Sequence, residues 1–368
     1  MSLLVRVLRD PEQLRVLSES DWSGLTVQAR ASRLLGAVAW LAQRNDIVIP
    51  EYAAWHYRSA LTHAEQQHTQ ALWELYELAE LFEKKGISWA VLKGGAYVAA
   101  GLPFAVGRSF VDVDILVPRD KIEEIERSLR ARSWLRSPMN DYDERYYREW
   151  MHEIPPLRHA VRGTVLDVHH NLIPITHSTP LDMGTFSFKP VELPWGRHAF
   201  TLENEDLFIH SAVHLLSEGE FHSALRDLWD LWFLLQHFDE RQDGYVPSML
   251  ARAEVLGLVH FPMLALRLVA DILETKQDRA EHWRKLAGKY PDKWGFGSLV
   301  HGAFCRVIGP NTASERPAGY FAASQLLYWR SHSLKMPLRL LLPHLIKKLY
   351  FRLEKLWKFR DDDRVTPL

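Results

Sequence analysis

Residues 89–117 read WAVLKGGAYVAAGLPFAVGRSFVDVDILV, and the order of residue types in this stretch decides the fold. Ala90, Val91 and Leu92 form a short run of the buried type that breaks at Lys93-Gly94-Gly95. Glycine there lets backbone N–H groups approach an anion closely, and a helix that follows adds its positive end. From Val111 to Val117 apolar and acidic residues alternate. Strand side chains alternate between faces, so Asp112 and Asp114 share one side while Val111, Val113, Ile115 and Val117 take the other. Two carboxylates side by side repel each other unless a cation sits between them. The strand is therefore expected to serve chemistry rather than stability.

Outward from this stretch, the periodicity changes twice. Residues 1–86 carry helical spacing throughout, with a long pattern from about Ala54 to Lys85 closed by Gly86 as a C-cap. His56, His63 and His68 lie in that pattern and read as solvated helix histidines. Residues 87–200 mix helix and strand signals. Pro118-Arg119-Asp120 opens a helix, the polar run from Ser137 to Tyr147 reads as an irregular loop over the site, and Leu157–Val161 with Thr164–Asn171 reads as a hairpin turning at Arg162-Gly163. In the second arm Asp167 and His169 share a face. Residues 201–368 return to helical spacing. His210 and His214 are four apart there, as are Arg226 and Asp230, the spacing of an intrahelical ion pair.

Leu92-Lys93-Gly94-Gly95, Arg108 four residues before Asp112, and Asp112-Val113-Asp114 together resemble the polymerase-β-like nucleotidyltransferase superfamily. The fuller form LKGG…R…DVDILV…DVH is similar to a poorly characterised bacterial nucleotidyltransferase family. The resemblance implies an α+β fold: a small mixed β-sheet nucleotidyltransferase core at 87–200 with N-terminal (1–86) and C-terminal (201–368) helical regions. It implies transfer of an NMP unit from an NTP, with ATP the expected donor, to an acceptor (small molecule, RNA or protein) and release of pyrophosphate.

By the same resemblance Asp112, Asp114 and Asp167 are the catalytic and metal-binding carboxylates. Two Mg²⁺ ions are the expected cofactors, with Mn²⁺ as a substitute, because hard cations prefer carboxylate and phosphate oxygens. Lys93, Gly94, Gly95, Arg108 and His169 are expected at the nucleotide, with His214, Arg226 and Asp230 packed near it on helices. Arg108 has two readings: a bidentate phosphate ligand, or a structural partner of one of the aspartates. A catalytically silent nucleotidyltransferase fold that binds a nucleotide or partner is the competing reading. A toxin-type enzyme adding nucleotides to tRNA or protein is another.

Composition narrows the rest. Lys+Arg of 45 against Asp+Glu of 46 leaves a net charge of -1, so any surface for nucleic acid must be local. The basic amphipathic segment 339–360 is such a surface, with RNA or an anionic membrane as its expected partner and a docked terminal helix as the plainer reading. The single cysteine, Cys305, excludes an internal disulfide and a cysteine-rich zinc module. No P-loop motif is present, and Lys93 precedes its glycines rather than following them. Charges interrupt the N-terminal apolar residues, and no run reaches the roughly 18 apolar residues of a spanning helix. A cytoplasmic location is expected.

Overall fold

The computed structural model describes every residue except 137, 290–296, 311 and 348–368. Basic segment 339–360 therefore lies mostly outside the described residues. Four helices come first: α1 (Leu3–Arg9), α2 (Glu19–Ala31), α3 (Leu35–Arg44) and α4 (Glu51–Lys85). Helix α4 buries Ala53, Tyr57, Leu61, Ala64, Ala71, Leu75, Leu78 and Phe82, the stripe that a period of 3.6 residues aligns on one side. It stops at Gly86, whose φ of 62° is left-handed and whose N–H bonds back to the last turn. Residues 32–34 interrupt what the sequence presents as one continuous pattern between α2 and α3.

Seven strands make one mixed sheet in the order β3-β4-β5-β2-β1-β7-β6. They are β1 (Ala90–Val91), β2 (Asp112–Leu116), β3 (Trp134–Arg136), β4 (Leu157–His159), β5 (Val165–His169), β6 (Phe188–Glu192) and β7 (His198–Leu202). Strands β2 and β5 run parallel, as do β1 and β7, and the other pairs are antiparallel. Short helices α5 (Lys93–Ala99), α6 (Ile122–Ala131) and α7 (Asp141–Trp150) lie between strands. The C-terminal region continues with α8 (Asn204–Ser217), α9 (Ala224–Asp239), α10 (Tyr245–Val255), α11 (His260–Ile272), α12 (Gln277–Ala287), α13 (Gly297–Val307) and α14 (Tyr320–Lys335). One contiguous hydrophobic core runs from Leu4 to Leu327 and joins the sheet to the helices on either side. The protein is thus α+β, a small mixed sheet flanked in sequence by helical regions, and β4–β5 is the expected hairpin.

Two local expectations are corrected. The polar run read as an irregular loop contains α7, which is capped by Asn140 accepting from the Asp143 N–H at 2.9 Å. Its helix is supported by Arg145–Glu149 and Glu144–Arg148 pairs four apart, and Tyr146 stacks on His344 with ring centres 4.6 Å apart. The second correction concerns Arg226 and Asp230, which do not bond each other. Arg226 turns to Asp227 Oδ1 at 2.7 Å, because Asp230 is taken by a buried guanidinium from elsewhere in the chain. Among the described residues no helix is long and apolar enough to cross a membrane.

Candidate active site

The parallel β2–β5 register sets Asp114 directly across from Asp167. Asp112 lies two residues back along β2, so all three aspartates belong to the same face of adjacent strands. Asp114 is 3% exposed, and two groups hold it. Lys93 Nζ donates to its Oδ1 at 2.6 Å, and His169 Nε2 donates to the same oxygen at 3.0 Å. Burial opposes the Asp114 charge, but Lys93 and then His169 outweigh it and hold the carboxyl well below the usual range. Lys93 answers in kind: burial works against its ammonium, and Asp114 more than compensates, raising it above an ordinary lysine.

Asp167 has the opposite character. Its Oδ1 is buried without a hydrogen-bond partner. Burial, then the Asp114, Glu153 and Asp112 carboxylates, push it up to about 8. One carboxylate held ionised beside another that prefers its proton is an arrangement found where groups are set for proton transfer or cation binding.

The turn that delivers Lys93 differs in detail from its sequence reading. The left-handed residue is Lys93 itself, with φ 49°, rather than either glycine. Gly94 and Gly95 are helical and buried, and their missing side chains leave room for protein. A Cβ on Gly94 would lie 2.0 Å from Arg108 Nη1, and one on Gly95 would lie 3.0 Å from Val91 Cγ1.

Arg108 is one of the residues the fold draws away from the aspartates. Its Nε donates to Asp230 Oδ2 at 2.7 Å, with both side chains under 10% exposed, and its guanidinium lies 5.4 Å from the Tyr97 ring. Tyr97 in turn bonds Ser211 of α8 at 2.6 Å between oxygens. Gly94, Arg108, Asp230 and Arg226 thus form a supporting layer behind the turn. His214 pairs with Glu218 at 3.5 Å on the surface side of α8. Its neighbour one turn earlier, His210, is buried, and burial followed by Lys93 holds it well below an ordinary histidine.

His152 and Glu153 escaped the sequence reading. Glu153 sits across from His169 in an isolated antiparallel bridge, and its Oε2 lies 3.5 Å from His169 Nε2. Their only trace in sequence is a His-Glu dipeptide shortly before Pro155-Pro156, without ligand spacing to anything. A cavity of about 1310 Å³ lined by Tyr76, Phe82, Trp89, Trp195 and Phe200 opens instead beside Leu116-Val117-Pro118, at the far end of β2 from Asp112, and none of the aspartates lines it.

Residues 18–274 match the family described as uncharacterised nucleotidyltransferase, and the chain belongs to that family. The family implies an NTP substrate, and nucleotidyltransferases generally use divalent metals. No curated protein matches the chain. An antigenic nucleotidyltransferase-like protein from Paracoccidioides brasiliensis overlaps 52% of this chain and 92% of its own at 14% identity and a TM-score of 0.33. The antibiotic-resistance factor ANT(2'')-Ia overlaps 53% of this chain and 97% of its own, at 14% identity and a TM-score of 0.34. Similarity at that level carries nothing about acceptor or mechanism.

Proposed function

We propose that this protein is a Mg²⁺-dependent nucleotidyltransferase that moves an NMP unit from an NTP, ATP being the expected donor, to an acceptor hydroxyl or phosphate and releases pyrophosphate. One observation carries the reading: Asp114 and Asp167 face each other across a parallel strand pair, with Asp112 alongside and the Lys93 ammonium turned onto Asp114. The donor set fits a hard divalent cation, since it is made of carboxylate oxygens and one of them, Asp167 Oδ1, is buried without a partner. Asp112, Asp114 and Asp167 would hold that cation. Bound Mg²⁺ would supply positive charge to the reacting phosphate and the leaving pyrophosphate.

The chain's own groups have separate tasks. Burial and then its acidic neighbours push Asp167 up in the metal-free chain; a bound cation would ionise it and leave it placed to take the acceptor's proton. Lys93 balances charge beside Asp114 and meets the triphosphate as it enters, while Gly94 and Gly95 contribute backbone N–H groups at the start of α5 and their missing side chains admit Arg108 and Val91 behind it. His169 fixes the orientation of Asp114. Arg108 and Asp230 act from behind as positioning residues, because the guanidinium fills the space under Gly94. Arg226, held by Asp227, flanks the same layer, and His214 pairs with Glu218 at the end of α8.

Incubation of the full-length protein with Mg²⁺ and each α-labelled NTP tests this, alone, with total tRNA, and with small hydroxyl-bearing acceptors. Label is expected on one acceptor class, and Asp112→Asn and Asp114→Asn are expected to remove it while circular dichroism stays unchanged. Label on tRNA or on protein identifies the toxin-type enzyme. Nucleotide binding without label in any arm identifies the silent fold and defeats the proposal.

A further inference from the structure

Among the described residues, the three ligand-type side chains whose donor atoms already lie within 4.8 Å of one another are His152, Glu153 and His169, not the three aspartates. We propose that this trio is a second cation site, built for a borderline transition-metal ion of the Zn²⁺ type and adjoining the carboxylate centre.

The framework is set by backbone rather than by flexible side chains. His170 N–H donates to the His152 carbonyl at 2.8 Å, and Ile154 N–H donates to the Val168 carbonyl at 3.0 Å. These bonds lock residues 152–154 along the edge of β5, and the bridge between Glu153 and His169 puts their side chains on one face. His169 Nε2 and Glu153 Oε2 are 3.5 Å apart, close to the roughly 3.4 Å edge of a tetrahedron with bonds of about 2.1 Å. The His152 and His169 rings lie 5.2 Å apart between centres.

A second observation points to a ligand. Nδ1 of His152 and Nδ1 of His169 are both buried without a hydrogen-bond partner. Buried polar groups are nearly always satisfied, so the unmet Nδ1 of His152 calls for an occupant, while the His169 nitrogen that faces Glu153 is Nε2. The donor chemistry selects its kind: two imidazoles and one carboxylate suit Zn²⁺, whereas Mg²⁺ prefers an all-oxygen shell. Binding would displace the His169 Nε2 proton now shared with Asp114 Oδ1, 3.0 Å away, so the ion would stand between the trio and the carboxylate centre.

Zn²⁺ titration against a chromophoric chelator tests the site on the full chain, freed of metal and without nucleotide. Uptake of one ion per chain is expected in the wild type and in Asp112→Asn, undisturbed by a thousandfold excess of Mg²⁺. His152→Gln and Glu153→Gln are expected to weaken that uptake at least about tenfold. Should His152→Gln fail to fold, Glu153→Gln, at the more open end of the trio, decides. No Zn²⁺ uptake by the wild type overturns the proposal. So does uptake lost in Asp112→Asn but kept in both trio variants, which would put the ion on the aspartates. Because the readout needs no nucleotide, failure here and failure of nucleotidyl transfer are separate results.

Discussion

At the scale of single residues, the site depends on giving similar groups unequal surroundings. Asp114 has a lysine and a histidine on one oxygen, and Asp167 has an oxygen with no partner at all. The difference has a pH signature. Asp167 holds its proton up to about 8 in the folded chain, against about 3.9 for a free aspartate. Between those values the folded state binds more protons than the unfolded one, so this group's contribution is fully present at low pH and is lost as the pH rises toward 8. Without metal, Asp167→Asn should therefore melt progressively higher relative to wild type as the pH goes from 5 to 8. Thermal melts across that range check it, and a difference that does not grow with pH would remove the raised pKa from the site. Backbone strain is concentrated at the same place: a left-handed lysine costs about 1–3 kcal/mol, and here it aims the ammonium at Asp114.

At the scale of elements, the β4–β5 hairpin is fastened to α4 by one buried carboxylate. Glu74 is 0% exposed, and Arg162 reaches it with two bonds of 2.6 Å while Thr164 Oγ1 donates to it at 2.7 Å. This clamp holds the turn that leads into β5 and so sets where Asp167 emerges. Glu74→Ala removes the acceptor for a guanidinium and a hydroxyl at once, and should cost about 1–3 kcal/mol in urea unfolding, because Arg162 is partly exposed and turns to water once its partner is gone while Thr164 loses a buried acceptor. A loss below 1 kcal/mol would show that the hairpin is held by apolar packing alone. The hairpin itself was legible because strand alternation and a glycine turn are local signals; Gly163 has a φ of 74°. Helix α7 was not, because its residues 141–150 are all charged or aromatic and its packing stripe of Tyr142, Tyr146 and Trp150 finds its partner in His344.

At the scale of the whole molecule, the Arg108–Asp230 pair joins the segment entering β2 to α9, across 122 positions of sequence. It holds the two parts of the site together through Gly94 and Tyr97. Asp230→Ala leaves a buried guanidinium unpaired, and should lower stability by about 3–5 kcal/mol. Since the core is contiguous from Leu4 to Leu327, that loss should move a single unfolding transition. Calorimetry checks this, and a separate early transition for the C-terminal helices would show that they unfold on their own. Asp230→Glu, which restores the charge, is expected to recover part of the loss.

What the sequence determined by itself is whatever short-range spacing controls. The two aspartates on one face of β2, the helix stripe of α4, the left-handed glycine that ends it, and the place of Asp167 and His169 on a later strand all follow from periods of 2 and 3.6 residues. Tertiary structure decided which partner each long side chain takes. Arg108 went to Asp230 rather than to the β2 aspartates, and Arg226 was left to its neighbour Asp227. His152 and Glu153 joined the site only because an edge segment lies against β5. The physical reason is common to all of these: a buried charge or ring nitrogen is satisfied by whichever group packing brings within about 3 Å, and that group is usually distant in the chain.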